Sequence, residues 1–216
     1  MKTSELAELK SDFHRDGFVF IRDFISHKQV AEIRKRSQCA FEQLCSKDSN
    51  FKNVAKGLER LDDYFKDLMN EGSHLALLTE LLDETPTPAS VGYFCKEDMK
   101  DEIHPHFDGD NGCTIWFALD PADLNNGCVH FLKGSHLQFA DNVQSFNALK
   151  SRDLFDDPNA VAAILNAGDV SIHNARTIHW SGKNTSGRPR RAVNCFYQKR
   201  WKSKLKKSVA MNDSRG

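Results

Sequence analysis

The sequence has no surplus of either charge: 30 Lys and Arg stand against 30 Asp and Glu in 216 residues. Without a net field there is no general pull toward nucleic acid or an anionic membrane. No apolar stretch reaches the roughly 18 residues of a membrane-spanning helix. The opening MKTSELAELKSDF lacks the apolar core of a secretory signal. Cysteine is scarce and unpatterned: six residues, at 39, 45, 95, 113, 128 and 195, with no CxxC pair. That spacing excludes a zinc knuckle and argues against a disulfide frame. Cys95, Cys113 and Cys195 fall within apolar, strand-like runs and read as small buried hydrophobes in a reducing compartment. These absences point to a cytoplasmic protein without nucleic-acid or membrane partners. They leave its oligomeric state undefined. Repeats and low-complexity linkers are absent too. The only charge run is the tail Lys199, Arg200, Lys202, Lys204, Lys206 and Lys207, which reads as a solvated basic end.

What is present suits one globular domain over residues 1–216. The hydrophobic fraction of 39% is a folding composition, not a disordered one. A helical part is expected over about 1–85, with Leu6, Leu9 and Phe13 at helical spacing over residues 4–15. A strand follows at 18–24. Ser26 is placed to cap a helix from about His27 to Cys45. Residues 46–60 read as irregular, and a second helical stretch over 61–84 breaks near Gly72. From about 88 to 198 the chain turns to short strands: Val91–Lys96, Cys113–Asp120, Cys128–Leu132, Val161–Leu165, Val170–His173 and Ala192–Gln198. Asn125-Asn126-Gly127 reads as a hairpin turn between two of them. The class is α+β, with a sandwich or barrel core and a basic tail at 199–216.

The chemistry concentrates in the β half. On a strand, His106 and Asp108 would project to one side, because side chains repeat every two residues. A third ligand from a distant strand would complete two histidines and one carboxylate, the set suited to non-haem Fe(II) oxygenases. The stretch Gly168 to Gly182 carries two histidines, His173 and His179, on a strand–turn–strand pattern. The polar turn Lys183–Gly187 and Arg-Pro-Arg-Arg191 then lead into a last strand. A hairpin there places an arginine beside His179. Arginine gives a fixed two-pronged grip on a carboxylate. A buried one needs an anion, which a dicarboxylate cosubstrate supplies.

The set His106-Phe-Asp108, Cys113 to Asp120, Asn126 to His136, Gly168-Asp-Val and Ile178-His-Trp-Ser-Gly-Lys-Asn184 with Arg190 resembles the phytanoyl-CoA dioxygenase family. The opening Asp16 to Phe24 is similar as well, and the resemblance runs from about residue 11 to 198. It implies a double-stranded β-helix (jelly-roll, cupin-like) core, with the N-terminal helices packed on one sheet. It implies Fe(II) bound by His106, Asp108 and His179. It implies 2-oxoglutarate as cosubstrate, its far carboxylate held by Arg190 with help from Ser181, and lined by Trp116 and Tyr93. An upstream basic residue, Lys56 or Arg60, is implied as well. The implied reaction uses O2, hydroxylates a small molecule, and releases succinate and CO2. Family halogenases carry a small residue in place of the aspartate, so Asp108 favours hydroxylation. A shorter chain than typical members, with a compressed stretch from Asp108 to Trp116, points away from a bulky acyl-CoA. With the polar run Asp108–Gly112, it points to a small polar metabolite.

The remaining polar residues have plainer readings. His104 would share the His106 face as a rim residue. His173 reads as a satisfied structural histidine one strand back, His130 as a half-buried strand residue, and His136 as a cap or surface residue. Arg188 and Arg191 read as solvent-facing. Two other functions remain open: a cupin-like metal-dependent isomerase or dioxygenase that does not use 2-oxoglutarate, and a non-catalytic binding module.

Overall fold

The computed structural model describes residues 2–47, 54–97, 102–138 and 153–199. Most of the basic tail, residues 200–216, lies outside them. Helix α1 (Thr3–Asp16) ends on Gly17, whose left-handed backbone (φ 89°) lets its N–H bond back to the Phe13 carbonyl. Strand β1 (Phe18–Ile21) follows and stops short of Phe24. Helix α2 (His27–Lys47) starts in a capping box in which Ser26 and Gln29 exchange side-chain and backbone bonds. The segment expected to be irregular contains β2 (Val54–Lys56) and a single tight turn of helix at Leu58–Arg60. Helices α3 (Asp63–Glu71) and α4 (His74–Leu82) flank Gly72; Asp62 caps the first through the Tyr64 N–H.

The β half holds β3 (Thr87–Lys96), β4 (Ile103–His106), β5 (Cys113–Ala118), β6 (Val129–Leu132), β7 (Ala160–Ala162), β8 (Val170–Asn174), β9 (His179–Ser181) and β10 (Arg190–Gln198). A one-turn helix, α5 (Ser135–Gln138), follows β6. The strands form two antiparallel sheets, in the orders β1-β8-β5-β10-β3-β2 and β4-β9-β6-β7. β7 is shorter than the expected Val161–Leu165 run; Leu165 instead makes an isolated bridge to Ala122.

Two expected hairpins are absent. β5 and β6, on either side of Asn125-Asn126-Gly127, lie in different sheets, and so do β9 and β10. The Asp123 carboxylate accepts the Asn125 and Asn126 N–H groups, and the Asn126 side chain returns a bond to the Asp123 N–H. That closed loop carries the chain across to the other sheet.

Alternation in the larger sheet separates two environments. Val91, Tyr93, Ile115, Phe117, Val170, Ile172, Val193, Cys195 and Tyr197 face one way and share a core with the inward sides of α1 to α4. The opposite face turns toward the smaller sheet. Between the sheets, Phe18 stacks on Phe131 at 4.9 Å, and the small Ala118, Ala163 and Ala192 let the layers close around them. The rest of that space stays open as the site. Among the described residues no helix is long and apolar enough to cross a membrane.

Candidate metal centre

A cavity of about 280 Å³ opens between the sheets, and His106, Asp108 and His179 stand in its wall. One potential ligand atom from each lies within 4.8 Å of the others. His106 ends β4, opposite His179 on β9. Ile103 pairs with Ser181, so three steps on one strand match two on the other. That bulge puts Ile103 and His106 on the cavity side. It also removes His104 from the His106 face, where an unbroken strand would have placed it; His104 is exposed.

Asp108 does not lie on a strand, contrary to the expectation from the triplet. β4 has ended, and the chain is pinned instead by the Asp108 and Gly109 N–H groups, both donating to the Ala175 carbonyl at 2.8 and 3.1 Å. Ala175 sits in the turn between β8 and β9. The turn that leads to His179 thereby also fixes Asp108.

The ring nitrogens are sorted. Nδ1 of His106 lies 2.8 Å from the His104 carbonyl, and Nδ1 of His179 lies 2.9 Å from that of Thr177. A carbonyl only accepts, so each Nδ1 carries a proton and Nε2 is the nitrogen left to bind a metal from the neutral ring. Burial pushes the His179 pKa down to about 3, with the charge of His173 acting the same way and that of Asp108 opposing it. Burial pushes the Asp108 carboxyl up, but the hydrogen bonds from His173 and the Thr114 hydroxyl hold it well below the usual carboxylate range. Both groups are therefore in the protonation state a metal requires.

His173 is the main departure from expectation. It is not a bystander one strand back: Nε2 lies 3.1 Å from Asp108 Oδ2, which also accepts from Thr114. The ring is 4.6 Å from that of His179. Oδ2 is thus engaged by two donors, while Oδ1 faces Nε2 of His179 at 3.7 Å. Strand parity was the available signal, since His173 shares the Ser171 face of β8, opposite Val170 and Ile172.

Arg190 begins β10 and is buried, with its guanidinium carbon 5.3 Å from the Trp116 ring centre. Its Nε has no hydrogen-bond partner among the described residues. Burial lowers its pKa to about 10. Ser181 and Trp116 also line the cavity. Tyr93 does not: one residue out of step with Gly92 and Phe94, it points into the helix-facing core against Phe41. Of the two upstream cations, Lys56 lines the cavity, whereas Arg60 is exposed beside Glu59.

His130 and His136 are structural, though more buried than expected. His130 stacks on Trp180, and His136 lies beneath the α1–β1 corner with Nε2 3.2 Å from the His14 carbonyl. Arg188 is exposed; Arg191 is half-buried, with Nη1 3.6 Å from Asp120. Lys96 had no place in the sequence reading. It is buried, and its ammonium donates to Ser181 Oγ at 2.7 Å and to the Gly182 carbonyl.

Two imidazoles and a carboxylate at this separation fit a divalent transition metal with open positions. The buried guanidinium, its Nε unpartnered among the described residues, fits a carboxylate-bearing ligand.

Residues 83–192 match the family model described as phytanoyl-CoA dioxygenase. A multifunctional dioxygenase of Penicillium brasilianum is 27% identical over 217 residues, spanning 88% of this chain and 70% of its own. A phytanoyl-CoA dioxygenase of Arabidopsis thaliana is 24% identical, spanning 83% of this chain and 84% of its own. Among solved structures, a non-haem α-ketoglutarate-dependent carbocyclase from nogalamycin biosynthesis superposes with a TM-score of 0.73 at 19% identity, over 88% of this chain and 83% of its own. An epimerase from the same biosynthesis, in complex with Fe3+, α-ketoglutarate and nogalamycin RO, gives 0.71 at 21% identity, over 91% of this chain and 84% of its own. These likenesses establish the jelly-roll fold of the core.

Proposed function

The chain belongs to the phytanoyl-CoA dioxygenase family, and from that premise we propose that it is an Fe(II)- and 2-oxoglutarate-dependent dioxygenase that hydroxylates a small molecule, releasing succinate and CO2. His106, Asp108 and His179 hold the metal. Arg190 and Ser181 hold the far carboxylate of 2-oxoglutarate, Trp116 flanks it, and Lys56 is the upstream cation that reaches the same cosubstrate. The observation that carries the reading is Arg190: a buried guanidinium opens on the cavity that holds the His–Asp–His cluster, and its Nε lacks a partner among the described residues. A dicarboxylate that reaches both supplies a partner for it.

Bound iron and 2-oxoglutarate supply an oxidant by coupling reduction of O2 to decarboxylation of the 2-oxoacid. The chain's own part is positional. Backbone carbonyls hold both imidazoles by Nδ1, leaving Nε2 for the metal. Thr114 and His173 hold one carboxylate oxygen of Asp108 and leave the other to bind. Val129, Phe131, Ile103 and Trp180 give the cavity an apolar wall that limits water near the reacting atoms.

The opposite wall mixes Phe94 and Phe196 with Lys56, Ser90 and Asn194. Cosubstrate and the reacting part of the substrate meet in a cavity of about 280 Å³. This volume and mixed polarity favour a small polar metabolite over a bulky acyl-CoA.

The test is succinate formation from 2-oxoglutarate by Fe(II)-loaded protein, with and without a panel of small metabolites and acyl-CoA esters. Stimulation by one polar metabolite is expected. Stimulation by acyl-CoA esters alone would overturn the substrate class. No succinate under any condition, or turnover untouched by Arg190→Ala, would overturn the cosubstrate assignment in favour of a cupin-like reaction without 2-oxoglutarate.

A further inference from the structure

Lys96 takes part in the cavity's anion-binding end without standing in its wall. It is the last residue of β3, directly opposite Arg190 in the β10 register. The two long cationic side chains therefore start from neighbouring strands at one end of the larger sheet. Lys96 is only 6% exposed. Its stem passes close to Gly127, where an added Cβ would lie 2.9 Å from the lysine Cδ. Its ammonium crosses to the smaller sheet and donates to Ser181 Oγ at 2.7 Å and to the carbonyl of Gly182. Burying an ammonium is costly. A surface lysine would have met the needs of a strand end.

The consequence lies in the Ser181 hydroxyl. A hydroxyl can accept and donate, and its proton turns to suit its partners. An ammonium can only donate. With Lys96 occupying a lone pair of Oγ, the Ser181 proton must point elsewhere. Ser181 is itself in the cavity wall with Arg190. We propose that Lys96 is a positioning residue for cosubstrate selection: it fixes Ser181 as a hydrogen-bond donor into the cavity, so that the Arg190 end prefers a ligand carrying a second carboxylate. The inference rests on the 2-oxoglutarate reading above and assigns a residue which that reading does not use.

The prediction separates 2-oxoglutarate from 2-oxovalerate, which keeps the chelating 2-oxoacid end and lacks the far carboxylate. Fe(II)-loaded protein is titrated with each acid without oxygen, following the visible charge-transfer band of the chelate, so binding is read without turnover. Lys96→Met should weaken 2-oxoglutarate binding on the order of tenfold to a hundredfold, the scale of a charged hydrogen bond. It should leave 2-oxovalerate unchanged. Ser181→Ala should do the same, and the double variant should be little worse than either single one. Lys96→Arg should keep most of the discrimination.

Equal loss of both acids, or no loss of either, would overturn the proposal by making Lys96 merely structural. Should Lys96→Met fail to fold, Lys96→Gln carries the same comparison, with a severalfold fall in discrimination expected. If the unaltered protein forms no such band with 2-oxoglutarate, the cosubstrate reading fails and takes this inference with it. If it forms the band and the Lys96 variants discriminate as well as it does, only this inference fails.

Discussion

At the scale of single residues the site is built from groups that are costly to keep. Arg190 is buried with Nε unpartnered among the described residues, and burial lowers its pKa to about 10. A well-packed apolar side chain of similar length removes that cost. Arg190→Met should therefore raise the thermal midpoint of the ligand-free protein while weakening 2-oxoglutarate binding by about a hundredfold or more. Thermal scans with and without ligand check both halves; an unchanged affinity would remove Arg190 from the site. Asp108 makes the complementary case. Its Oδ2 is held by His173 and Thr114, and its backbone N–H by Ala175. Loss of a group that orients a metal ligand typically costs about tenfold to a hundredfold in metal affinity. Thr114→Val and His173→Phe should each fall in that range in chelator competition. Unchanged affinity in both would mean that the backbone bonds alone orient the carboxylate.

At the scale of elements, the α1–β1 corner braces the turn that carries the ligands. The Gly17 carbonyl accepts from the Asn174 N–H and the Thr177 hydroxyl, both at 2.8 Å, between His173 and His179. Gly17 has a φ of 89°, and a Cβ there would meet His136 Nδ1 at 2.4 Å and Thr177 Oγ1 at 2.6 Å. Gly17→Ala should cost at least about 1–2 kcal/mol from the left-handed backbone alone, a fall of several degrees in melting temperature for a domain of this size. An unchanged midpoint would show that the corner yields without loss. Element types were largely legible in the sequence: period-two and period-3.6 patterns marked the strands and helices. Their partners were not. Asn125-Asn126-Gly127 has the local chemistry of a hairpin turn, and local chemistry does not reveal that Asp123 bends the chain into the other sheet. The triplet His106-Phe-Asp108 was visible, but the bulge at Ile103–His106 and the bond from Asp108 to Ala175 depend on strands far away in sequence. Lys96 was invisible because a lysine at a strand end looks solvated until a second sheet covers it. Tyr93 was misplaced because a single step along β3 moves a side chain from cavity to core.

At the scale of the whole molecule, the helices and the larger sheet share one core, so we propose that the described residues fold as a single domain. His74 lies in that shared layer: it is 1% exposed, its Nε2 is 2.6 Å from the Tyr197 hydroxyl, and burial pushes its pKa down to about 4. The sign follows from the depressed value. Above pH about 6.5 the ring is neutral in both folded and unfolded chains, and its contribution is fully present. As pH falls toward 4 the unfolded chain takes up a proton that the folded chain excludes, and stability is lost, by up to about 3 kcal/mol from this residue. His130 and His136, also lowered by burial, act in the same direction. Urea midpoints should therefore fall between pH 7 and pH 4, and His74→Gln, which keeps a bond to Tyr197 without titrating, should flatten part of that fall. An equally steep fall in His74→Gln would assign the dependence to other groups. Trp116 reports from between the sheets and Trp180 from the far face of the smaller sheet, while far-ultraviolet dichroism reports mainly from the helices packed outside. A shared core requires the two signals to unfold together at every pH. Helical signal lost at lower urea than tryptophan fluorescence would make the N-terminal helices a separable layer, and would make the two packed sheets with the metal cluster between them the more stable unit.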